Sequence, residues 1–208
     1  MEKIAKALLQ IEAVFLSPKK PFTWASGIKS PIYCDNRLTL SYPDVRNEIE
    51  NGLVDLIKTH YPNAERIIGT STAGIAHAAL VADRMNLPTG YVRGSSKAHG
   101  RTNKIEGIVN KGDNVVVVED LISTAGSVLE VVESLRSIGA NVLGIVSIFT
   151  YGMQKGIDRL SDSKCLNYSL SSIDELIEVA ITNEYITEEE GNAILQFRDN
   201  PQDESWFK

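Results

Sequence analysis

The sequence predicts an α/β fold with a central, mostly parallel sheet flanked by helices. Two observations carry this expectation. From residue 66 onward, short strand-like runs alternate with helix-like segments. The strand-like runs are continuously apolar, most clearly at Val115, Val116, Val117 and Val118, as expected of strands covered on both faces. The length of 208 residues suits one filled core with a small appended element. We therefore read residues 1–208 as a single domain, with residues 1–40 forming the appendage.

Each element follows from local pattern. Ile4, Ala7, Leu8, Ile11 and Phe15 recur at helical spacing, and Pro18 and Pro21 stop the run. Two β-like stretches follow at 22–25 and 31–35, around Ser26 and Gly27. Pro43 opens a helix with Val45, Ile49, Leu53, Leu56 and Ile57 on one face. A strand at 66–69 precedes a helix at 75–85, and Tyr91 and Val92 form a short strand. A polar stretch spans 94–107. After it come a strand at 114–118, a helix at 126–138 and a strand at 142–149. Two helices close the chain, near 173–181 and 188–197. The acidic run Glu188, Glu189 and Glu190 suits a first turn favoured by the helix dipole. In such sheets ligands bind beyond the carboxyl ends of the strands, here just after Gly69, Val92, Val118 and Phe149.

Composition narrows the function classes. A net charge of −6 disfavours duplex nucleic acid as a partner without forbidding a local basic pocket. No apolar run suggests a signal peptide or a membrane span. Cys34 and Cys165 are the only cysteines and lack metal-ligand spacing, so the expectation is a reducing cytoplasm.

The segment from Val115 to Ser127 carries the strongest chemical signal. A buried strand leads to two adjacent carboxylates, Glu119 and Asp120, then to the small loop Ser123, Thr124, Ala125, Gly126 and Ser127 at a helix start. Such a loop points backbone N–H groups and hydroxyls at a phosphate, helped by the helix dipole. Ionised carboxylates accept from ribose hydroxyls. The plain alternative is an N-capped strand-to-helix turn. Two acids ending a four-valine strand are costly unless they face a ligand.

This segment resembles the motif for phosphoribosyl pyrophosphate (PRPP) of type I phosphoribosyltransferases. The resemblance implies that fold. It also implies that Glu119 and Asp120 hold the ribose, and that Leu121, Ile122, Ser123, Thr124, Ala125, Gly126 and Ser127 complete the PRPP site. Members of the family often have Gly where Ala125 stands. The polar stretch gathers Arg93, Lys97, His99, Arg101 and Lys104 between glycines. Concentrated cations suit a leaving pyrophosphate, and flanking glycines suit a loop that closes and reopens. Alone, such a charge run is usually a solvated surface loop, and the phosphate loop beside it reverses that reading. Its order, with Lys97, His99 and Gly100 followed by Ile105, Glu106 and Gly107, is similar to the catalytic loop of the orotate phosphoribosyltransferase family. The resemblance places Arg93, Lys97, His99 and Arg101 on the pyrophosphate. Gly94 stands where many members have Lys.

Two further segments are similar to the same family. Residues 22–35 resemble its base-binding hood, with Ala25 where some members have Lys, and Tyr33 can stack on a flat pyrimidine. A half-buried strand aromatic is the other reading of Tyr33. Residues 69–75 resemble the loop beneath the pyrophosphate, with Ala73 where some relatives have Lys.

The resemblance implies transfer of ribose 5-phosphate from PRPP to orotate, with Lys97, His99 and Asp120 as catalytic residues and Ser123 and Tyr33 on orotate. It implies Mg²⁺ as cofactor, held mainly by PRPP oxygens rather than by the protein, and a homodimer with shared sites. Two roles are open to His99, general acid or electrostatic stabiliser. His60 reads as a helix-end residue, and His77 as a helix residue without catalytic duty. A purine phosphoribosyltransferase is the first rival. A nucleic-acid-binding regulator on the same fold is the second, and it lacks the basic face such binding requires.

Overall fold

The computed structural model of the chain describes residues 2–24, 27–94 and 104–207. Helix α1 (Glu2–Gln10) buries Ile4, Ala5, Ala7, Leu8 and Leu9. Four short strands follow: β1 (Val14–Leu16), β2 (Phe22–Thr23), β3 (Lys29–Ser30) and β4 (Ile32–Cys34). Phe15 therefore lies outside the helix that its spacing predicts. The chain turns at Glu12, and Val14, Phe15 and Leu16 pair antiparallel with Cys34, Tyr33 and Ile32. Sheet pairing at long range outweighs the local helical period here. β2 and β3 form a second small hairpin.

A 3₁₀ helix (Asn36–Ser41) leads into α2 (Pro43–His60), which Pro43 opens as expected. Then come β5 (Arg66–Thr70), α3 (Ala73–Met85), β6 (Thr89–Val92), β7 (Ile105–Glu106), β8 (Asn114–Ile122) and α4 (Gly126–Ser137). The chain continues through β9 (Asn141–Thr150), α5 (Gln154–Asp162), β10 (Asn167–Ser172), α6 (Ile173–Thr182) and α7 (Glu188–Asp199). The main sheet has six strands in the order β10-β9-β8-β5-β6-β7. All neighbours run parallel except β6 and β7, which are antiparallel.

The continuous valine run is explained by two cores. Val116 and Val118 face a core with α1, α2, α3, α6 and α7. Val115 and Val117 face a second core with α4 and Leu160 of α5. All four valines are fully buried, so the strand cannot alternate between apolar and polar.

β8 departs from expectation at its carboxyl end. It runs to Ile122, four residues beyond Val118, and takes Glu119 and Asp120 into the strand. β5 pairs with it only from Arg66 opposite Val115 to Gly69 opposite Val118. β9 stays paired as far as Ile122 opposite Thr150. The acids therefore sit where β8 projects past one neighbour and keeps the other.

α5 and β10 are absent from the sequence expectation. α5 is nine residues long and carries only Ile157 and Leu160 as large apolar residues, too short a stripe to read. β10 is a serine-rich edge strand, and the hydroxyl and amide groups of Ser147, Asn167 and Ser169 bond one another beside it. The terminal helices match expectation. Ser172 and Glu175 form a capping box on α6, and Thr187 and Glu190 form one on α7. Among the described residues no helix is long and apolar enough to cross a membrane.

Candidate active site

Glu119 is 6% exposed. Its Oε1 accepts from Thr70 Oγ1 at 2.6 Å and from the Asp120 backbone N–H at 3.0 Å. Thr70 ends β5, so the strand that β8 outruns supplies the hydroxyl that fixes the first acid. Burial, with the neighbouring Asp120 carboxylate adding to it, pushes the Glu119 carboxyl up to about 8. A neutral Glu119 can donate as well as accept. Asp120 is half-buried, and its carbonyl accepts from Asn36 Nδ2 at 2.7 Å. Asn36 is fully buried at the start of the 3₁₀ helix. It ties the N-terminal strands to the acid pair. Sequence reasoning missed Asn36 because a lone Asn after a β-like run reads as a turn.

The loop after the acids leads straight into α4. Ala125 takes φ 57° and ψ 8°, left-handed backbone that favours glycine, and it does so buried. The loop thus keeps its course with Ala in place of Gly. No side chain caps α4 from Ala125, so its first N–H groups are free to meet an anion. Ile122 is buried in the second core, and Leu121 packs partly against the first. Their side chains anchor the segment and leave the backbone for binding. Ser127 is exposed on the first turn of α4. Behind the loop, Arg159 of α5 donates to the Thr124 carbonyl at 3.0 Å.

The β5–α3 turn packs tightly beneath β8. A Cβ on Gly74 would collide with Thr70 Oγ1 and the Val118 carbonyl, so only glycine fits. Ala73 opens α3, and no side chain caps that helix from Thr72. This turn therefore offers backbone donors and no cation.

The ends of the cationic stretch are drawn together. Tyr91 and Val92 of β6 pair with Glu106 and Ile105 of β7. The Arg93 N–H donates to the Lys104 carbonyl at 2.9 Å, and the Arg93 guanidinium pairs with Glu106 at 3.1 Å. A cavity of about 60 Å³ lies among Thr70, Ser71, Arg93, Lys104 and Ser127. It joins the β5–α3 turn, the loop ends and the start of α4. Lys97, His99 and Arg101 lie outside the described residues. A larger groove of about 630 Å³ runs between α5 and β10, but neither the acid pair nor the Ser123–Ser127 loop lines it.

Tyr33 is 47% exposed and tilts against Phe22, with ring centroids 5.6 Å apart. Strand alternation gives its neighbour the inner position. Burial raises the Cys34 thiol well above its usual range, and the Asp120 and Asp35 carboxylates add to the shift. Cys34 is half-buried and shares one side of β4 with the buried Ile32, while Tyr33 lies on the other side. Cys34 and Cys165 are both free thiols. His77 is buried against Glu50, Nδ1 to Oε1 at 2.7 Å, and His60 stacks on Tyr168 at 3.6 Å.

Comparison with known proteins follows the same lines. The model of the phosphoribosyl transferase domain matches residues 44–183. The chain is 55% identical over 205 residues to an orotate phosphoribosyltransferase of Bacillus subtilis, covering 99% of this chain and 95% of that protein. An Aeropyrum pernix orotate phosphoribosyltransferase structure superposes with a TM-score of 0.75 at 30% identity, over 84% of this chain and 96% of the other. Leishmania donovani UMP synthase superposes with a TM-score of 0.81 at 27% identity, over 95% of this chain but only 42% of the longer one.

Proposed function

The chain belongs to the orotate phosphoribosyltransferase family, and on that premise we propose that it transfers ribose 5-phosphate from PRPP to orotate, giving orotidine 5′-monophosphate and pyrophosphate. One observation carries the reading. An acid pair on a projecting strand runs without a break into a loop that ends on an uncapped helix N-terminus. That order matches the order of groups along the substrate, ribose hydroxyls first and 5′-phosphate next.

In the reaction N1 of orotate bonds to the anomeric carbon as the carbon–oxygen bond to pyrophosphate breaks. The electron pair leaves with pyrophosphate, and the N1 proton goes to solvent. Positive charge builds on the ribose, where Asp120 and Glu119 bind its hydroxyls. Negative charge builds on the pyrophosphate, over the backbone N–H groups of the β5–α3 turn and beside Arg93. Lys97, His99 and Arg101 add charge to the same end. Ser123 and Tyr33 are the side chains assigned to orotate.

A Mg²⁺ carried in by the oxygens of PRPP would neutralise the developing phosphate charge. We place the reaction in the cytoplasm, which the two free thiols suit. A homodimer with the cationic loop lent across the interface completes the proposal.

The test is orotate absorbance on mixing the protein with orotate, PRPP and Mg²⁺. The expected outcome is a loss of absorbance that requires all three. An unchanged orotate signal, with turnover of a purine base instead, would overturn the reading.

A further inference from the structure

α5 packs against the backbone of the phosphate loop. A Cβ on Gly156 would collide with the Ser123 carbonyl, so the helix and the loop touch backbone to backbone. One turn later Arg159 reaches the Thr124 carbonyl at 3.0 Å. Its Nη1 lies 3.2 Å from the point a Cβ on Gly126 would occupy. Gly126 is the first residue of α4, so the guanidinium sits at the positive end of that helix. Two like charges meet there, and one carbonyl offsets them in part. Glu130, Glu133 and Asp162 share the surface groove with Arg159, yet among the described residues none pairs with it. Arg159 is exposed on α5, and its guanidinium holds the loop backbone through the Thr124 carbonyl.

We propose that Arg159 is a positioning residue for the reaction, which holds the Ser123–Ser127 loop in its binding shape through the Thr124 carbonyl. The inference rests on the reading above, which places the 5′-phosphate in this loop. Gly156 sets the approach of α5 and thereby the reach of Arg159.

Two ligands separate the ends of the site. Ribose 5-phosphate reports the loop, and inorganic pyrophosphate reports the β5–α3 turn. Calorimetry should show ribose 5-phosphate binding about tenfold weaker to Arg159→Gln than to the parent, with pyrophosphate binding within about twofold. Arg159→Lys should recover part of the loss, because it restores the charge but not the planar fork. In turnover the defect should appear in KM for PRPP rather than in kcat. Gly156→Ala should weaken ribose 5-phosphate alone, by displacing the loop. Equal weakening of both ligands in Arg159→Gln, or of neither, overturns the assignment. If Arg159→Gln weakens ribose 5-phosphate binding but the parent leaves orotate unconsumed, the orotate reading falls and the assignment stands. If the parent consumes orotate while Arg159→Gln binds as the parent does, the assignment falls and the orotate reading stands.

Discussion

Thr70 Oγ1 donates to Glu119 Oε1 at 2.6 Å across the point where β5 stops and β8 continues. The bond closes a gap in the sheet ladder with a side chain, and it leaves a carboxyl group buried beside a second one. Burial and Asp120 hold Glu119 protonated up to about pH 8.

This proton makes stability depend on pH. An unfolded Glu119 loses its proton near its ordinary value of 4.5, whereas the folded one keeps it to about 8. Between those values the native state binds the extra proton, so its contribution is fully present below the lower value and falls as pH rises through the upper one. The slope is at most about 1.4 kcal/mol per pH unit. Glu119→Gln copies the neutral form and should lack this fall. Urea unfolding of parent and variant at pH 5, 6, 7 and 8 should show the variant gaining on the parent at each step. Parallel stability curves would remove Glu119 as a buried proton carrier.

Asp120→Asn should abolish most activity and spare the fold. Asp120 is half-buried at the projecting end of β8, and the Asn36 bond goes to its carbonyl, which the substitution keeps. The loss should exceed two factors of ten in kcat/KM, about 2.7 kcal/mol of transition-state stabilisation. Near-parental turnover at saturating substrate would take Asp120 out of the chemistry.

Asn36→Ala tests the link from the N-terminal strands to the acid pair. It deletes a buried amide that donates to the Asp120 carbonyl at 2.7 Å. Leaving that carbonyl short of a donor should cost about 1–3 kcal/mol of stability. The loosened strand end should also lower kcat/KM several-fold. A fall in melting temperature with kcat/KM unchanged would make Asn36 a scaffold residue only.

How much of this was legible depends on what each residue had to bury. The valine run announced β8, because a strand between two cores has no polar face to confuse the pattern. The acid pair and its loop were legible because charge at the end of such a run is costly without a ligand. α5 was not legible, since Ile157 and Leu160 are its only large apolar residues and its one fully buried position is Gly156. Arg159 was hidden with it. Phe15 misled because its helical spacing was genuine, while its partner Tyr33 lay 18 residues away. Cys34 was overlooked because only the folded strand shows that it shares a side with the buried Ile32. Thr70 and Asn36 act through side-chain hydrogen bonds to β8, and no local pattern encodes a partner that distant.

The shared-site proposal can be tested by mixing chains. The ends of the cationic stretch are fixed by β6 and β7 at the edge of the sheet. In a two-fold dimer every contact is made twice, so both sites are built alike. Lys97→Ala spoils the loop, and Asp120→Asn spoils the ribose end. If the loop crosses to the partner, a mixed dimer holds one site with both defects and one with neither. Random pairing makes about half the dimers mixed, so about a quarter of all sites should be intact. Each parent variant should be nearly inactive, and the re-paired mixture should recover activity toward that fraction. Mass measurement of the re-paired dimers establishes that exchange has occurred. A fully exchanged mixture no more active than its parents would show that Lys97 serves its own chain, and the shared-site model would fail.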